Sequence, residues 1–348
     1  ELAFGITSAN RAFGAVANAH DPLRFAGGSS GGTAAAIAGA FTVAGLGTDT
    51  GGSSRIPAAL NGIVGFRPTM GRYPADGITR ISSTRDTVGP MGLTVADVEV
   101  IDRVLSGDAE FTDRVETGNL RLGVPRVYFY ENLQPDIADA ANGLLSTLAQ
   151  HGITLVEANL PSIAELNSNV GFPVVIYESR KLLDAYLREH NLRGSLIDLV
   201  DAIASPDVKA LMQNVIDPGV PQAVYDEALA VHRPALQQLY RDYFSTHRVD
   251  AMIFPTTPLT ARPIASSDET VELNGERVPT FLTFIRNTDP GSNAGIPGLS
   301  IPLGKTDSGL PFGIEIDGPA GSDQKLLAIG ALLESLIAGD AEHSARAN

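Results

Sequence analysis

The spacing of apolar and polar residues predicts regular elements along most of the chain. In several segments, apolar residues recur every three to four positions, as they do on the buried side of a helix. The helices predicted in this way are Val95–Leu105 with Thr94 as its N-cap, Ile137–His151, most of residues 162–245 with breaks at Pro206, Pro218 and Pro221, and Gln324–Ile337. Short apolar runs bounded by turn residues predict strands at Leu120–Val124, Thr154–Val156, Ala251–Phe254, Gly298–Leu303 and Phe312–Ile316.

The order of these elements predicts an α/β fold. Leu120–Val124, the helix that follows it and Thr154–Val156 form a strand–helix–strand unit, which is typical of parallel strands. No low-complexity linker divides the 348 residues, and a chain of this length can bury a large core. These observations predict a partly parallel sheet and leave open one large α/β domain or two smaller ones.

The stretch Gly27–Arg55 contains the sequence Gly-Gly-Ser-Ser twice. The first serines of the two clusters, Ser29 and Ser53, are 24 residues apart. Between the clusters, Gly31–Ala44 has almost no polar side, which predicts a helix that is buried all round. Leu46–Ser54 is dominated by glycine and is predicted to be a loop.

These loops have features that a serine nucleophile requires. A serine hydroxyl needs a base to take its proton and donors to hold the oxyanion. The two glycines before Ser53 allow several backbone N–H groups to converge. Ser30 and Gly45 are candidate caps of the intervening helix, whose N-terminus would add a partial positive charge beside Ser29. No Gly-x-Ser-x-Gly pattern surrounds Ser53, so this loop is not the nucleophile elbow of the α/β-hydrolases.

Other interpretations of the clusters remain open. Gly-Gly-Ser-Ser alone is also typical of a flexible loop, or of a phosphate cradle at a helix N-terminus. The phosphate-loop pattern Gly-x-x-x-x-Gly-Lys-Ser/Thr is absent, and the stretch contains no lysine. A Ser-His-Asp triad has weak support, because the histidines are scattered, at His20, His151, His190, His232, His247 and His343.

Composition narrows the function classes further. The net charge of −15 disfavours binding to nucleic acid or to an anionic membrane, since phosphates would be repelled. The absence of cysteine excludes disulfides, zinc–thiolate sites and a cysteine nucleophile. The longest apolar runs, such as Val170–Tyr177, are far too short to span a bilayer, and the acidic residues lack a metal-loop pattern. We therefore predict no cofactor, metal, nucleic acid or membrane as a partner, and a cytoplasmic location.

The serine-rich stretch closely resembles the signature region of the amidase signature family. The resemblance is carried by GGSSGGTAAAIAGAFTVAGLGTDTGGSSRIPAALNGIVGFRPTMGR, and the flanking segments ELAFGITSANRAFGAVANAHDP, STRDTVGPMGLTVADV, PGSNAGIPGLSIPLG and GLPFGIEIDGP are also similar to the family. The resemblance implies the family's fold, a single α/β domain over residues 1–348 with a mixed twisted β-sheet and helices on both faces. It also implies a Ser–cis-Ser–Lys triad.

Site roles follow from the resemblance position by position. The nucleophile falls on Ser53, and the bridging serine, which a cis peptide bond precedes, falls on Ser29. The resemblance implies an oxyanion hole made by the backbone N–H groups of Thr50, Gly51, Gly52 and Ser53. It further implies that Ser30, Asp49 and Arg55 hold the two loops in place.

The third member of the triad has no counterpart in this sequence. The family's lysine lies farther upstream than the 28 residues that precede Ser29. The lysines of this chain, Lys181, Lys209, Lys305 and Lys325, lie in no matching context. The chain begins at Glu1 without a leader, so we expect that an N-terminal segment is missing and that these 348 residues alone are inactive.

The resemblance implies hydrolysis of a linear primary amide to a carboxylic acid and ammonia through an acyl-enzyme. The sequence resembles most the branch that includes mandelamide and indoleacetamide hydrolases, which implies an aromatic acyl group. The alternatives are the glutaminase subunit of a tRNA-dependent amidotransferase and a degenerate, non-catalytic binding module. The helical stretch 162–245 is expected to form part of the substrate pocket, and a homodimer is possible. Candidate pocket residues are Phe172, Ile176, Tyr177, Phe281, Phe284 and Ile285.

Overall fold

The structure, a computed structural model, is described for residues 1–108 and 115–347. In this part of the chain the strands are β1 (Ala9–Asn10), β2 (Gly14–Ala15), β3 (Ala44–Asp49), β4 (Val64–Arg67), β5 (Thr87–Gly92), β6 (Arg121–Val124), β7 (Thr154–Glu157), β8 (Ala251–Pro255), β9 (Thr270–Leu273), β10 (Glu276–Pro279), β11 (Gly298–Lys305) and β12 (Pro311–Asp317). The helices are α1 (Gly31–Ala38), α2 (Arg55–Asn61), α3 (Val95–Ser106), α4 (Arg126–Phe129, one irregular turn), α5 (Pro135–Gln150), α6 (Ile163–Glu189), α7 (Leu196–Asp201), α8 (Pro206–Ile216), α9 (Gln222–Glu227), α10 (Arg233–His247), α11 (Thr280–Ile285), α12 (Asp289–Ala294) and α13 (Asp323–Ala347).

An eight-stranded mixed sheet organises the fold, with the strand order β3-β5-β4-β11-β12-β8-β6-β7. Strand β6 pairs in parallel with both β7 and β8, and the other neighbours pair antiparallel. The predicted α/β class, the mixed sheet and the strand–helix–strand unit around α5 are therefore confirmed. The extent of the predicted domain, residues 1–348, stays a prediction, and residues 109–114 and 348 lie outside the described residues.

Alternate residues of the central strands pack on opposite faces of the sheet. On β8, Ala251 and Ile253 pack in the cluster that contains residues of α3, α5 and α13. Met252 and Phe254 pack on the opposite face, with Tyr240 of α10. Because successive side chains of a strand point to opposite sides, helices cover both faces of this sheet.

Helix α3 forms where its sequence predicts. Thr94 is its N-cap, and the Thr94 side chain accepts from the N–H of Asp97 while the Asp97 carboxylate accepts from the N–H of Thr94. This reciprocal pair satisfies two helix-end donors, which explains why the start was readable from a few residues.

The helix between the serine clusters differs from its prediction. Helix α1 ends at Ala38 with Gly39 as its C-cap, rather than running to Ala44 with Gly45 as the cap. It is not buried all round, since it buries only Gly31, Ala34 and Ile37. The apolar residues that follow it are exposed, Phe41 by 88% and Val43 by 77%.

The first four residues of the segment predicted as a glycine loop, residues 46–49, belong to strand β3. Its residues from Ala44 to Asp49 pair antiparallel with β5. Glycine is needed there for close packing, because a Cβ added to Gly47 would lie 2.5 Å from Oγ of Ser30. The loop proper is therefore short and connects Asp49 to the start of α2 at Arg55.

The stretch 162–245 is mostly helical, as predicted, and contains α6 to α10. No helix in the described part of the chain is both long enough and apolar enough to cross a membrane.

Candidate active site

The loop between β3 and α2 forms one wall of a cavity of about 270 Å³. Thr50, Gly51 and the half-buried Ser53 line this cavity. The opposite walls come from the N-terminal residues 3–6 and from α6, α8 and α11. Ser53 thus lies where a bound molecule could reach its hydroxyl.

The two serine clusters meet in the structure. The backbone N–H of Ser30 donates to the carbonyl of Ser53 over 3.0 Å. The peptide bond between Gly28 and Ser29 is cis, as the resemblance implies. Ser30 occupies the N-cap position of α1, but its hydroxyl does not cap the helix and instead bonds the backbone of Thr48 on β3. This contact fixes the first cluster to the strand that leads to Ser53.

Asp49 holds the Ser53 loop through two hydrogen bonds to its backbone. Its carboxylate accepts from the N–H of Gly52 at 2.9 Å and from the N–H of Ser54 at 3.2 Å. The N–H of Gly52 is therefore already engaged. The remaining predicted oxyanion donors, at Thr50, Gly51 and Ser53, belong to the residues that line the cavity.

Two arginines surround the Asp49 carboxylate. Arg55 reaches both of its oxygens at 3.1 Å, and Arg67 reaches Oδ1 at 3.0 Å and the backbone carbonyl of Asp49 at 2.6 Å. All three side chains are fully buried. Burial by itself would raise the pKa of Asp49, but the two positive charges and the hydrogen bonds outweigh it and hold that pKa well below its usual range. Asp49 is thus an ionised acceptor under the loop.

A second ion pair, Arg85 with Asp289, lies in the cavity wall. Arg85 also donates to the carbonyls of Thr50 at 3.2 Å and Gly171 at 3.0 Å. It therefore ties the Ser53 loop to α6 and α12. Asn167 of α6 donates to the same Asp289 carboxylate at 3.0 Å.

The rest of the cavity lining is mostly apolar. Of the predicted pocket residues, Phe172, Phe281 and Ile285 line it, and the first two rings lie 5.9 Å apart between centroids. The other three lie elsewhere: Tyr177 stacks on Tyr225, Phe284 packs in the core beside Phe25, and Ile176 packs in the helical cluster of α6 to α8. Further apolar lining comes from Phe4, Ile6, Ile81, Val175, Leu211 and Leu282.

None of the four lysines lines this cavity. Lys209 donates to the carbonyl of Asp201, Lys325 pairs with Asp250, and Lys181 lies over the ring of Tyr177. Lys305 lies 3.5 Å from His20. The five histidines whose side chains are described also lie outside the lining.

Several residues of the site were missed by the sequence analysis. They are Arg67, Arg85, Asn167 and Asp289, together with two acids outside the cavity lining, Glu315 and Asp317, of which Glu315 contacts Arg55. One signal could have found the last two, since Glu315 and Asp317 interrupt an otherwise apolar strand. A charged residue at a central strand position is usually paired when it is buried.

Comparison with known proteins points to one family. The Amidase family model matches residues 1–327. The chain is 50% identical over 338 residues to an indoleacetamide hydrolase of Rhizobium radiobacter, which covers 97% of this chain and 72% of that protein. It is 40% identical over 357 residues to a mandelamide hydrolase of Pseudomonas putida, with 97% of this chain and 68% of that protein covered. Among solved structures, a crystal structure of amidase has a TM-score of 0.84 at 34% identity, over 96% of this chain and 72% of that chain.

Proposed function

Since the chain belongs to the amidase signature family, we propose that it hydrolyses a primary amide with an aromatic acyl group, through an acyl-enzyme on Ser53. The observation that carries this proposal is the apolar cavity beside Ser53, which Phe172 of α6 and Phe281 of α11 line from two helices. Aromatic surface buried against aromatic side chains is a favourable contact. The names of the relatives, indoleacetamide hydrolase and mandelamide hydrolase, support the same substrate class.

In the proposed reaction, the hydroxyl of Ser53 attacks the amide carbonyl. Ser29 takes the Ser53 proton and passes one to the departing nitrogen, which leaves as ammonia. The N–H groups of Thr50, Gly51 and Ser53 are proposed to hold the oxyanion, because the N–H of Gly52 donates to Asp49. Water then cleaves the acyl-enzyme by the same relay.

The proposed relay also needs a lysine behind Ser29. Each lysine of this chain lies away from the cavity lining, so we expect no amide turnover by a polypeptide made of these 348 residues alone. The proposed homodimer and the cytoplasmic location stay predictions.

The function is tested by ammonia release from the complete natural protein. We expect indole-3-acetamide or mandelamide to be hydrolysed with a kcat/KM at least about 100-fold above that for glutamine, since glutamine offers no aromatic surface to the apolar lining. Preference for glutamine would favour the glutaminase interpretation. Failure to release ammonia from any of these amides would favour the non-catalytic module.

The role of the cavity wall is tested by Phe281→Ala. Removing this ring should reduce kcat/KM for indole-3-acetamide by about 10- to 100-fold, since a buried aromatic contact contributes roughly 1–3 kcal/mol. The value for acetamide should change little, because acetamide cannot reach the ring. Phe41→Ala is the matched control, as Phe41 is 88% exposed and does not line the cavity beside Ser53. Equal losses for both substrates would place Phe281 outside the acyl pocket.

A further inference from the structure

Two acidic residues of β12 lie beneath the Ser53 loop and take no part in the proposed chemistry. Glu315 and Asp317 are both fully buried. They are two positions apart on one strand, so their side chains leave the same face of the sheet. Ile314 and Ile316 point to the opposite face, into the cluster that contains α3, α5 and α13.

The two carboxyl groups and one arginine converge. Arg55 contacts Oε1 of Glu315 through its Nη1 atom. Gly298 of β11 is the register partner of Asp317. A Cβ added to this glycine would lie 2.6 Å from Oδ1 of Asp317, 3.0 Å from Nη1 of Arg55 and 3.1 Å from Oε1 of Glu315. All three groups therefore surround one point at the backbone of β11.

Three of the four carboxyl oxygens of Glu315 and Asp317 accept no hydrogen bond. No hydrogen-bond donor reaches Oε2 of Glu315 or either oxygen of Asp317. The hydroxyl of Tyr240 on α10, which lies on the same face of the sheet, is also buried without a partner. Buried carboxylate oxygens without donors are costly, and two neighbouring carboxylates repel each other. A single proton on the pair removes the charge repulsion and pairs two of the three oxygens, because it converts one acceptor into a donor.

The charge balance of the buried cluster also indicates one proton on the pair. The buried cluster contains two arginines and three carboxyl groups, namely Arg55, Arg67, Asp49, Glu315 and Asp317. With every group ionised, its net charge is −1, and with one proton on the pair it is zero. Nearby Arg85 adds no net charge, since it is paired with Asp289. A neutral cluster is the form that burial favours.

We infer that Glu315 and Asp317 share one proton in the folded protein, and that in this form they hold Arg55 in position beneath the Ser53 loop. The proton is taken up from solvent on folding. Oε1 of Glu315 then accepts from Arg55, and its protonated Oε2 donates to the ionised Asp317. The positioning half of this inference rests on the proposed function, whereas the proton count does not.

The pKa directions agree with a shared proton. Burial raises the pKa of Glu315 well above its usual value and raises that of Asp317 to about 6, although Arg55 opposes both shifts. A carboxyl group whose pKa is higher in the folded state binds its proton more tightly there. The pair therefore stabilises the fold most at a pH below the unfolded value near 4, and this contribution is lost as the pH rises through the folded values.

The contacts connect the acid pair to Ser53. Arg55 joins Glu315 to Asp49, and the Asp49 carboxylate accepts the N–H groups of Gly52 and Ser54 on either side of Ser53. Glu315 is thus a positioning residue that acts through Arg55 and Asp49.

The proton count is tested by calorimetric unfolding of the complete protein at pH 7.5, in buffers of different ionisation enthalpy. Wild type should release one proton more on unfolding than Glu315→Gln or Asp317→Asn, because either amide replaces the shared proton and keeps the cluster neutral. Relative to Asp317→Asn, the unfolding equilibrium constant of wild type should rise by up to about tenfold per pH unit between pH 5 and the pair's folded pKa values. The exposed Glu157→Gln serves as the control and should leave the proton count unchanged.

The result that would overturn the inference is equal proton release by wild type and both single variants, since both acids would then be ionised in the folded state. Failure of both single variants to fold would also overturn it, because an amide would not replace the shared proton. The double variant Glu315→Gln/Asp317→Asn leaves a net charge of +1, so it should be less stable than the sum of the single effects predicts. Additive effects would contradict the charge balance.

The positioning role is tested by kinetics. Glu315→Gln should keep kcat for the aromatic amide near the wild-type value, whereas Glu315→Leu should lower kcat more than it changes KM, because Arg55 loses its anchor. If Glu315→Leu leaves kcat unchanged, the positioning role is wrong even when the proton count holds. If wild type hydrolyses no amide, the proposed function fails and the calorimetric result still decides the shared proton.

Discussion

Replacing Ser53 with Ala is expected to abolish amide turnover in the complete natural protein, with a fall in kcat of at least about 10⁴-fold. The proposed acyl-enzyme cannot form without this hydroxyl. Binding of the amide should be largely kept, since the apolar lining comes from other residues. Initial rates of ammonia release and equilibrium binding of the substrate measure the two effects separately.

Ser54→Ala is the matched control for this prediction. The Ser54 hydroxyl is buried and has no hydrogen-bond partner, so its removal should leave turnover near the wild-type level and stability equal or higher. The opposite pattern, with turnover kept in Ser53→Ala and lost in Ser54→Ala, would move the nucleophile to Ser54. Near-wild-type turnover in both variants would reject a nucleophile in this loop.

Asp49→Ala is expected to cause the largest loss of stability, about 3–5 kcal/mol in the free energy of unfolding. The substitution removes the carboxylate that pairs with the buried Arg55 and Arg67. It also removes the acceptor for the N–H groups of Gly52 and Ser54. Urea denaturation monitored by circular dichroism measures this loss.

The control for Asp49→Ala is Glu157→Ala. Glu157 pairs with Arg126 at 3.0 Å, but the two side chains are 58% and 38% exposed. An exposed pair contributes about 0–1 kcal/mol, so this variant should unfold close to wild type. If both variants lose the same free energy of unfolding, burial does not determine how much the ion pairs of Asp49 contribute to stability.

The sequence predicted the start of an element correctly where neighbouring residues determine it. The Thr94–Asp97 capping box starts α3, and the apolar runs at Ala251 and Gly298 mark the starts of β8 and β11. The prediction was wrong between Gly39 and Asp49, because local composition does not encode the end of α1 at Ala38 or the pairing of β3 with β5. At Gly47 the strand lies against Ser30, and glycine there serves packing rather than loop flexibility.

The sequence by itself determined the α/β class, most of the helices, five of the eight strands of the main sheet, and the resemblance that singles out Ser29 and Ser53. These depend on periodicity and on contiguous motifs, which are local properties of the chain. Only the tertiary structure decided that Gly52 donates to Asp49, that Arg85 and Asp289 form a wall of the cavity, and that Glu315 lies beneath Arg55. These contacts join residues up to 260 positions apart, and their energies depend on burial, which no single segment of the sequence specifies.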